Sequence, residues 1–226
     1  MKILEKDLPL FPLRTVLFPQ ARVPLQIFEP RYIEMIERCL QEDLAFGILL
    51  IKSGDEVGPP AVPHEVGTVA RIIDVARLDD GRMNIAAAGI TRFKLLKVSA
   101  ELAYLTGRVE IWRDEDVDIA KAEKVARRAA LAFQNYIRAI ENVAAVEPHT
   151  REEKTFRPPK DPTVLSYLIA SNLHVSQSDK QSLLETPTVL ARLRREIALM
   201  GREVELIRLV SEKSDRILDQ GTFSLN

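Results

Sequence analysis

Cysteine, tryptophan and histidine are scarce in this chain of 226 residues, with one Cys, one Trp and three His. A single cysteine, Cys39, excludes an internal disulfide. On the helical stretch Tyr32–Leu40 it reads as a small buried hydrophobe rather than a reactive thiol. The histidines His64, His149 and His174 stand far apart without the spacing of metal ligands. His64-Glu65 is not followed by the second histidine that a zincin helix needs. No GxxxxGK[ST] run supplies the backbone cradle and lysine of a P-loop, and no GxGxxG follows a strand. No cofactor and no metal are therefore expected, and the chain is read as no enzyme.

An excess of one charge is also missing. Lys and Arg total 32 against 33 Asp and Glu, for a net charge of −1. The balance holds locally, with 15 basic and 15 acidic residues up to Arg113 and 17 and 18 beyond it. A nucleic-acid binder draws its non-specific affinity from neutralising phosphates, so a nucleic-acid partner is not favoured. The longest apolar run, Leu44–Ile51 with Gly47 inside it, is too short to span a bilayer, so no membrane association is expected. The opening MKILEKDLPLF lacks the apolar core of a signal peptide. A soluble, cytoplasmic protein is the expectation.

Proline is abundant in one place. Leu8–Tyr32, LPLFPLRTVLFPQARVPLQIFEPRY, holds five of the 13 prolines among Leu, Val, Ile and Phe. Proline fixes φ and removes a backbone donor, which excludes a helix and argues against a strand in the middle of a sheet. The expectation is short extended pieces at an edge, or broken by bulges, wrapping a core. Glu29-Pro30 then opens a helix, with Pro30 in the first turn where its missing N–H costs nothing.

Further on, Leu44–Lys52 suits a strand buried on both faces, and residues 53–64 form a turn-rich loop. Val66–Leu78 and Arg82–Val98 flank Asp79-Asp80-Gly81, a hairpin signal that points to a type I′ turn. Gly89 interrupts the second run and suggests a bulge or a close backbone approach. Tyr104–Trp112 is a last strand. Residues 8–112 thus read as about six strands and one helix, closed or partly closed.

Beyond Trp112 the hydrophobic period changes from two to 3.6. A long helix is expected over 118–146 and a polar linker over 147–161. Short helices follow over 162–173, capped by Asp161, and over 178–185, capped by Ser178. A long helix over 187–217 is capped by Thr186 with Pro187 in its first position. Its stripe of Leu193, Ile197 and Met200 leaves a helix-mediated homodimer open. Arg127, Arg128, Arg192, Arg194 and Arg195 read as the wet faces of these helices. Arg92, Lys94 and Lys97 on one strand form the best basic group for nucleic acid. Trp112 reads as a core or strand-end anchor, and Asp79 and Asp80 as turn residues rather than paired catalytic carboxylates.

Four segments resemble the N-terminal, substrate-binding domain of the Lon protease family. They are LPLFPLRTVLFP, EVGTVARIIDV (Glu65–Val75), IAAAGITRFKLLKV (Ile85–Val98) with its Gly89 and Arg92, and SDKQSLLETPTVLARLRRE (Ser178–Glu196). They occur in the family's order. The resemblance implies an α+β fold: a six-stranded PUA-like pseudo-barrel followed by an all-helical lobe ending in a long C-terminal helix. Domain limits of 1–114 and 115–226 fit this layout. The resemblance also implies binding of polypeptide substrates or partner proteins. It does not carry over ATP hydrolysis or proteolysis, because no AAA+ or peptidase segment is present, and a stand-alone or excised domain is the expectation. The function expected is a non-catalytic protein- or peptide-binding module, with an RNA-binding PUA-like module as the alternative. Phe18, Pro19, Val57 and Pro59 are the candidate peptide contacts, because apolar side chains on proline-bound turns are hard to bury.

Overall fold

The computed structural model describes residues 7–58, 61–115, 118–143 and 157–221, with side chains of the last helix up to Glu212. Pro59, most of the expected linker, the expected helix beyond Val143 and the final residues 222–226 lie outside them. Two compact units are present: residues 1–115 with 170–187, and residues 116–169 with 188–226.

The first unit contains β1 (Leu8–Leu13), β2 (Arg22–Ile27), α1 (Pro30–Gln41), β3 (Phe46–Ser53), β4 (Val62–Arg77), β5 (Met83–Ser99) and β6 (Thr106–Trp112). The strand order is β2-β5-β4-β3-β1-β6, and β5 also pairs with β6. Strands β1, β3, β4, β5 and β6 therefore close a ring, which removes their exposed edges. The 17-residue β5 serves two partners: Met83–Ala88 pair with β2 and Arg92–Ser99 with β6. Between these halves the register with β4 shifts at Ile90, so Gly89 does sit beside a bulge.

Strand β1 corrects the proline argument. It lies between β3 and β6, in the middle of the sheet and buried throughout. Strand alternation explains how two prolines are tolerated there. The Leu10 N–H donates to the Leu105 carbonyl on the β6 side, so Pro12 turns its nitrogen to that side too. Pairing with β6 covers only Leu8 and Pro9, and Pro12 lies beyond it. Pro9 faces the β3 side, where pairing starts only at Leu10. Neither proline deletes a ladder bond. In β2 the edge reading holds, because β2 pairs with β5 alone among the described residues.

Alternation along β1 also splits the apolar core. Phe11 and Leu13 join Ile27, Phe46, Ile48, Met83, Ile85 and the buried face of α1 (Tyr32, Met35, Ile36, Cys39). Leu8 and Leu10 join Leu49, Val69, Phe93, Leu105 and Val109 on the other side. Each fully buried side chain of this kind contributes about 1.5–3 kcal/mol. The β4–β5 turn is not type I′. Leu78 accepts from Gly81 N–H and donates to Arg82, around a three-residue loop whose Gly81 has φ +82°.

The helical part comprises α2 (Ile119–Val143), α3 (Pro162–Asn172), α4 (Gln177–Leu184) and α5 (Val189–Gly221). Helix α2 lies against α5 and buries Ala122, Val125, Ala126, Ala129, Ala130, Phe133 and Tyr136. Asp161 Oδ1 accepts from Thr163 and Val164 N–H at the start of α3, as its cap. Two other caps differ from expectation. Ser176, not Ser178, accepts from Asp179 N–H to start α4. Thr188, not Thr186, accepts from Ala191 N–H to start α5. In both cases the hydroxyl that wins is the one three residues before an unpaired first-turn amide. Leu193 and Met200 are buried, so the stripe that left a homodimer open is largely used inside the protein.

Candidate functional site

An apolar groove of about 280 Å³ opens on the first unit. Phe11 and Leu13 of β1 and Pro24, Leu25 and Ile27 of β2 form its floor and one wall. Tyr32 of α1 lies across it, its ring 4.2 Å from that of Phe11. Phe28 and Val57 stand at its lips, 50% and 56% exposed. The volume lies just below the range of about 300–1,000 Å³ usual for small-molecule sites.

Local sequence explains why Phe28 stays out. Ile27 points into the core, so its neighbour points away from it. Pro30 then starts α1 at once, leaving no residues to fold Phe28 back. One end of the groove is polar. Arg31 pairs with Glu29 at 3.0 Å, donates to the Glu56 carbonyl at 3.3 Å and lies 4.5 Å over the Tyr32 ring. Burial pushes the Tyr32 hydroxyl above its ordinary pKa, with Glu29 and Glu56 adding to the rise and Arg31 opposing it. Behind the groove, burial pushes the Cys39 thiol up to about 11, so it has no nucleophilic role at neutral pH.

Strand β2 borders the groove with an edge that no described strand pairs. Gly89 N–H donates to the Ala21 carbonyl, which sets the alternation: Val23, Leu25 and Ile27 face β5, and Arg22, Pro24 and Gln26 face outward. Pro24 therefore blunts the middle of the edge. A chain added there would find amide donors at Arg22 and Gln26 alone.

The candidate contacts chosen from sequence separate. Val57 stands at the lip of the groove. Pro59 lies outside the described residues. Phe18 and Pro19 are buried, Phe18 to 1% exposure, and are corrected as surface contacts. Their loop is strapped down: Thr68 Oγ1 donates to the Leu17 carbonyl at 2.6 Å, and Gln20 N–H to the Gly89 carbonyl at 2.8 Å. A Cβ on Gly89 would fall on the Phe18 carbonyl oxygen. Sequence reasoning missed Phe28. The signal available was an aromatic residue squeezed between a strand end and a helix-opening proline.

The basic group on β5 is also corrected. Arg92 is buried, donates to the Leu184 and Thr186 carbonyls at 2.6 and 2.7 Å, pairs with Asp114, and lies 4.3 Å over the Trp112 ring. It fastens β5 to the end of α4 and is closed to nucleic acid. Lys94 also lies over Trp112, at 4.3 Å, which makes that tryptophan a strand-end anchor. Gln181 of α4 completes the fastening by donating to the Val66 carbonyl. In the second unit Arg192 is not on a wet face. It is buried, donates to Ser166 Oγ at 2.7 Å and stacks on Tyr167, and Ser166 in turn donates to Glu196.

Among the described residues no group of three or more His, Cys, Asp or Glu is placed to hold a metal ion, and no helix is long and apolar enough to cross a membrane. The family model described as the ATP-dependent protease La (LON) substrate-binding domain matches residues 7–202. A Lon protease of Anaeromyxobacter dehalogenans is 29% identical over 92% of the chain and 24% of its own length. A Lon protease 2 of Sorangium cellulosum is 28% identical over 95% of the chain and 27% of its own length. The chain thus spans about a quarter of the length of the curated relatives it matches. A crystal structure of a Lon N-terminal domain protein from Xanthomonas campestris superposes with a TM-score of 0.62 at 24% identity, covering 85% of this chain and 98% of that one. The N-terminal domain of Mycobacterium avium complex Lon protease gives 0.65 at 18% identity, covering 87% and 98%. The α+β architecture read from sequence, a six-stranded barrel with a long C-terminal helix, is that of these domains.

Proposed function

This chain belongs to the Lon substrate-binding domain family, and on that premise we propose that it is a non-catalytic module that captures unfolded or extended polypeptide in the cytoplasm. The observation that carries the reading is the open apolar groove with Phe28 and Val57 exposed at its lips. Two large apolar side chains standing in water beside an unfilled cleft gain free energy when a client's apolar side chain displaces that water. Leu25, Ile27 and Tyr32 supply the floor. Because Pro24 interrupts the β2 edge, affinity comes from side-chain burial more than from an added strand. Such recognition tolerates many sequences, which suits a receptor for unfolded protein.

The test is a titration with a permanently unfolded, casein-like protein followed by fluorescence anisotropy. Binding is expected, and Phe28→Asp combined with Val57→Asp is expected to weaken it about tenfold or more. Wild-type affinity in the double variant overturns the groove as the site. No binding by the native chain overturns the function.

A further inference from the structure

Helix α2 exposes a second surface, unrelated to the groove in chemistry. Lys121, Lys124, Arg127, Arg128 and Arg138 are exposed on it, and Leu131 is 62% exposed in their midst. At about 100° per residue, Lys124, Arg127, Arg128 and Arg138 all lie within about 60° of Leu131 around the helix, over roughly 21 Å of its length. Glu123 and Glu141 lie together at one margin, about 80° from Leu131. None of the five cations makes an ion pair within the described residues. Helix α5 is different: Arg202 pairs with Glu203 at 2.9 Å, and Arg208 with Glu205 and Glu212 at 2.6 and 2.8 Å. The exposed α5 charges over 202–212 are thus neutralised by their own neighbours. The α2 face is not.

We propose that the α2 face centred on Leu131 docks an acidic helical segment of a partner protein that carries a regularly placed apolar residue. The steps 124, 128, 131, 135 and 138 follow the four–three alternation of a helix-pairing seam. Cations around the seam select carboxylates, and Leu131 at its centre selects an apolar side chain. A phosphate backbone would match the cations, yet it would leave Leu131 in water and bring negative charge beside Glu123 and Glu141. This site is distinct from the groove, so each can fail without the other.

The experiment uses the full chain and a labelled synthetic helix of about 21 residues built from Glu and Ala with Leu at every seventh position. Anisotropy is expected to show binding that weakens with salt. Leu131→Gln and the pair Arg128→Glu with Arg138→Glu are each expected to weaken it about tenfold, with unchanged helical circular dichroism, whereas Phe28→Asp leaves it intact. No binding of the probe overturns the proposal. So does equal binding by a leucine-free peptide or by an oligonucleotide of the same charge, or full affinity in the Leu131 variant.

Discussion

The two ends of the barrel unit are built on opposite plans. Around Arg92 every feature closes the structure: a buried guanidinium on two carbonyls and a carboxylate, an indole beneath it, and α4 tied to β4 through Gln181. Around Phe28 the structure stays open among the described residues, with β2 paired on one side only and a cleft beside it. Binding an apolar segment costs least when the receptor does not reorganise.

The comparison breaks most readily at the closed end. Arg92→Ala should cost about 3–5 kcal/mol in urea unfolding, because it removes the buried guanidinium that pairs with Asp114 and donates to two buried carbonyls. Arg92→Lys should recover only part, since one ammonium lacks the planar fork that reaches all three acceptors. A loss below about 1 kcal/mol for the alanine variant would show that this end is not the fastening.

The thiol behind the groove reports whether the open end is open only at its surface. With its pKa pushed up to about 11, Cys39 should react with a thiol reagent at neutral pH about a hundredfold more slowly than in the unfolded chain, from thiolate fraction alone. The raised pKa gives a contribution that is complete below the ordinary value of 9.0 and is lost as pH rises through about 11. A free-thiol rate would mean that α1 opens, and the contrast would be one of dynamics.

Gly89→Ala sits between the two ends and should cost about 2 kcal/mol, by driving a methyl group into the Phe18 carbonyl. The smallest effect belongs to the open end. Phe28→Asp and Val57→Asp should each change stability by within about 0.5 kcal/mol while reducing client binding. If they destabilise like Arg92→Ala, those side chains belong to the core and the two plans merge into one.

Much of this was legible in the residues. Helix periods pointed to helices where α2 through α5 lie, Gly89 suggested a bulge or a close approach, and the proline pattern read as edge or bulged pieces, which describes β2 and not β1. The misreadings share one cause. Phe18 and Phe28 both look like apolar residues on proline-bound turns. One is strapped down by Thr68 and Gly89, some 50 and 70 positions away, and the other stays half exposed among the described residues. Arg92 and Arg192 look like surface cations until the segments that cover them are in place.

By itself the sequence determined the order and type of the elements, the absence of phosphate-binding and metal motifs, and the even charge, because periodicity, proline geometry and composition act over a few neighbouring residues. Only the tertiary structure decided that β1 runs through the middle of the sheet, that Arg92 is a fastener, and that the groove forms beside Phe28. Burial is set by whichever distant segment arrives to exclude water, and no local pattern encodes that arrival.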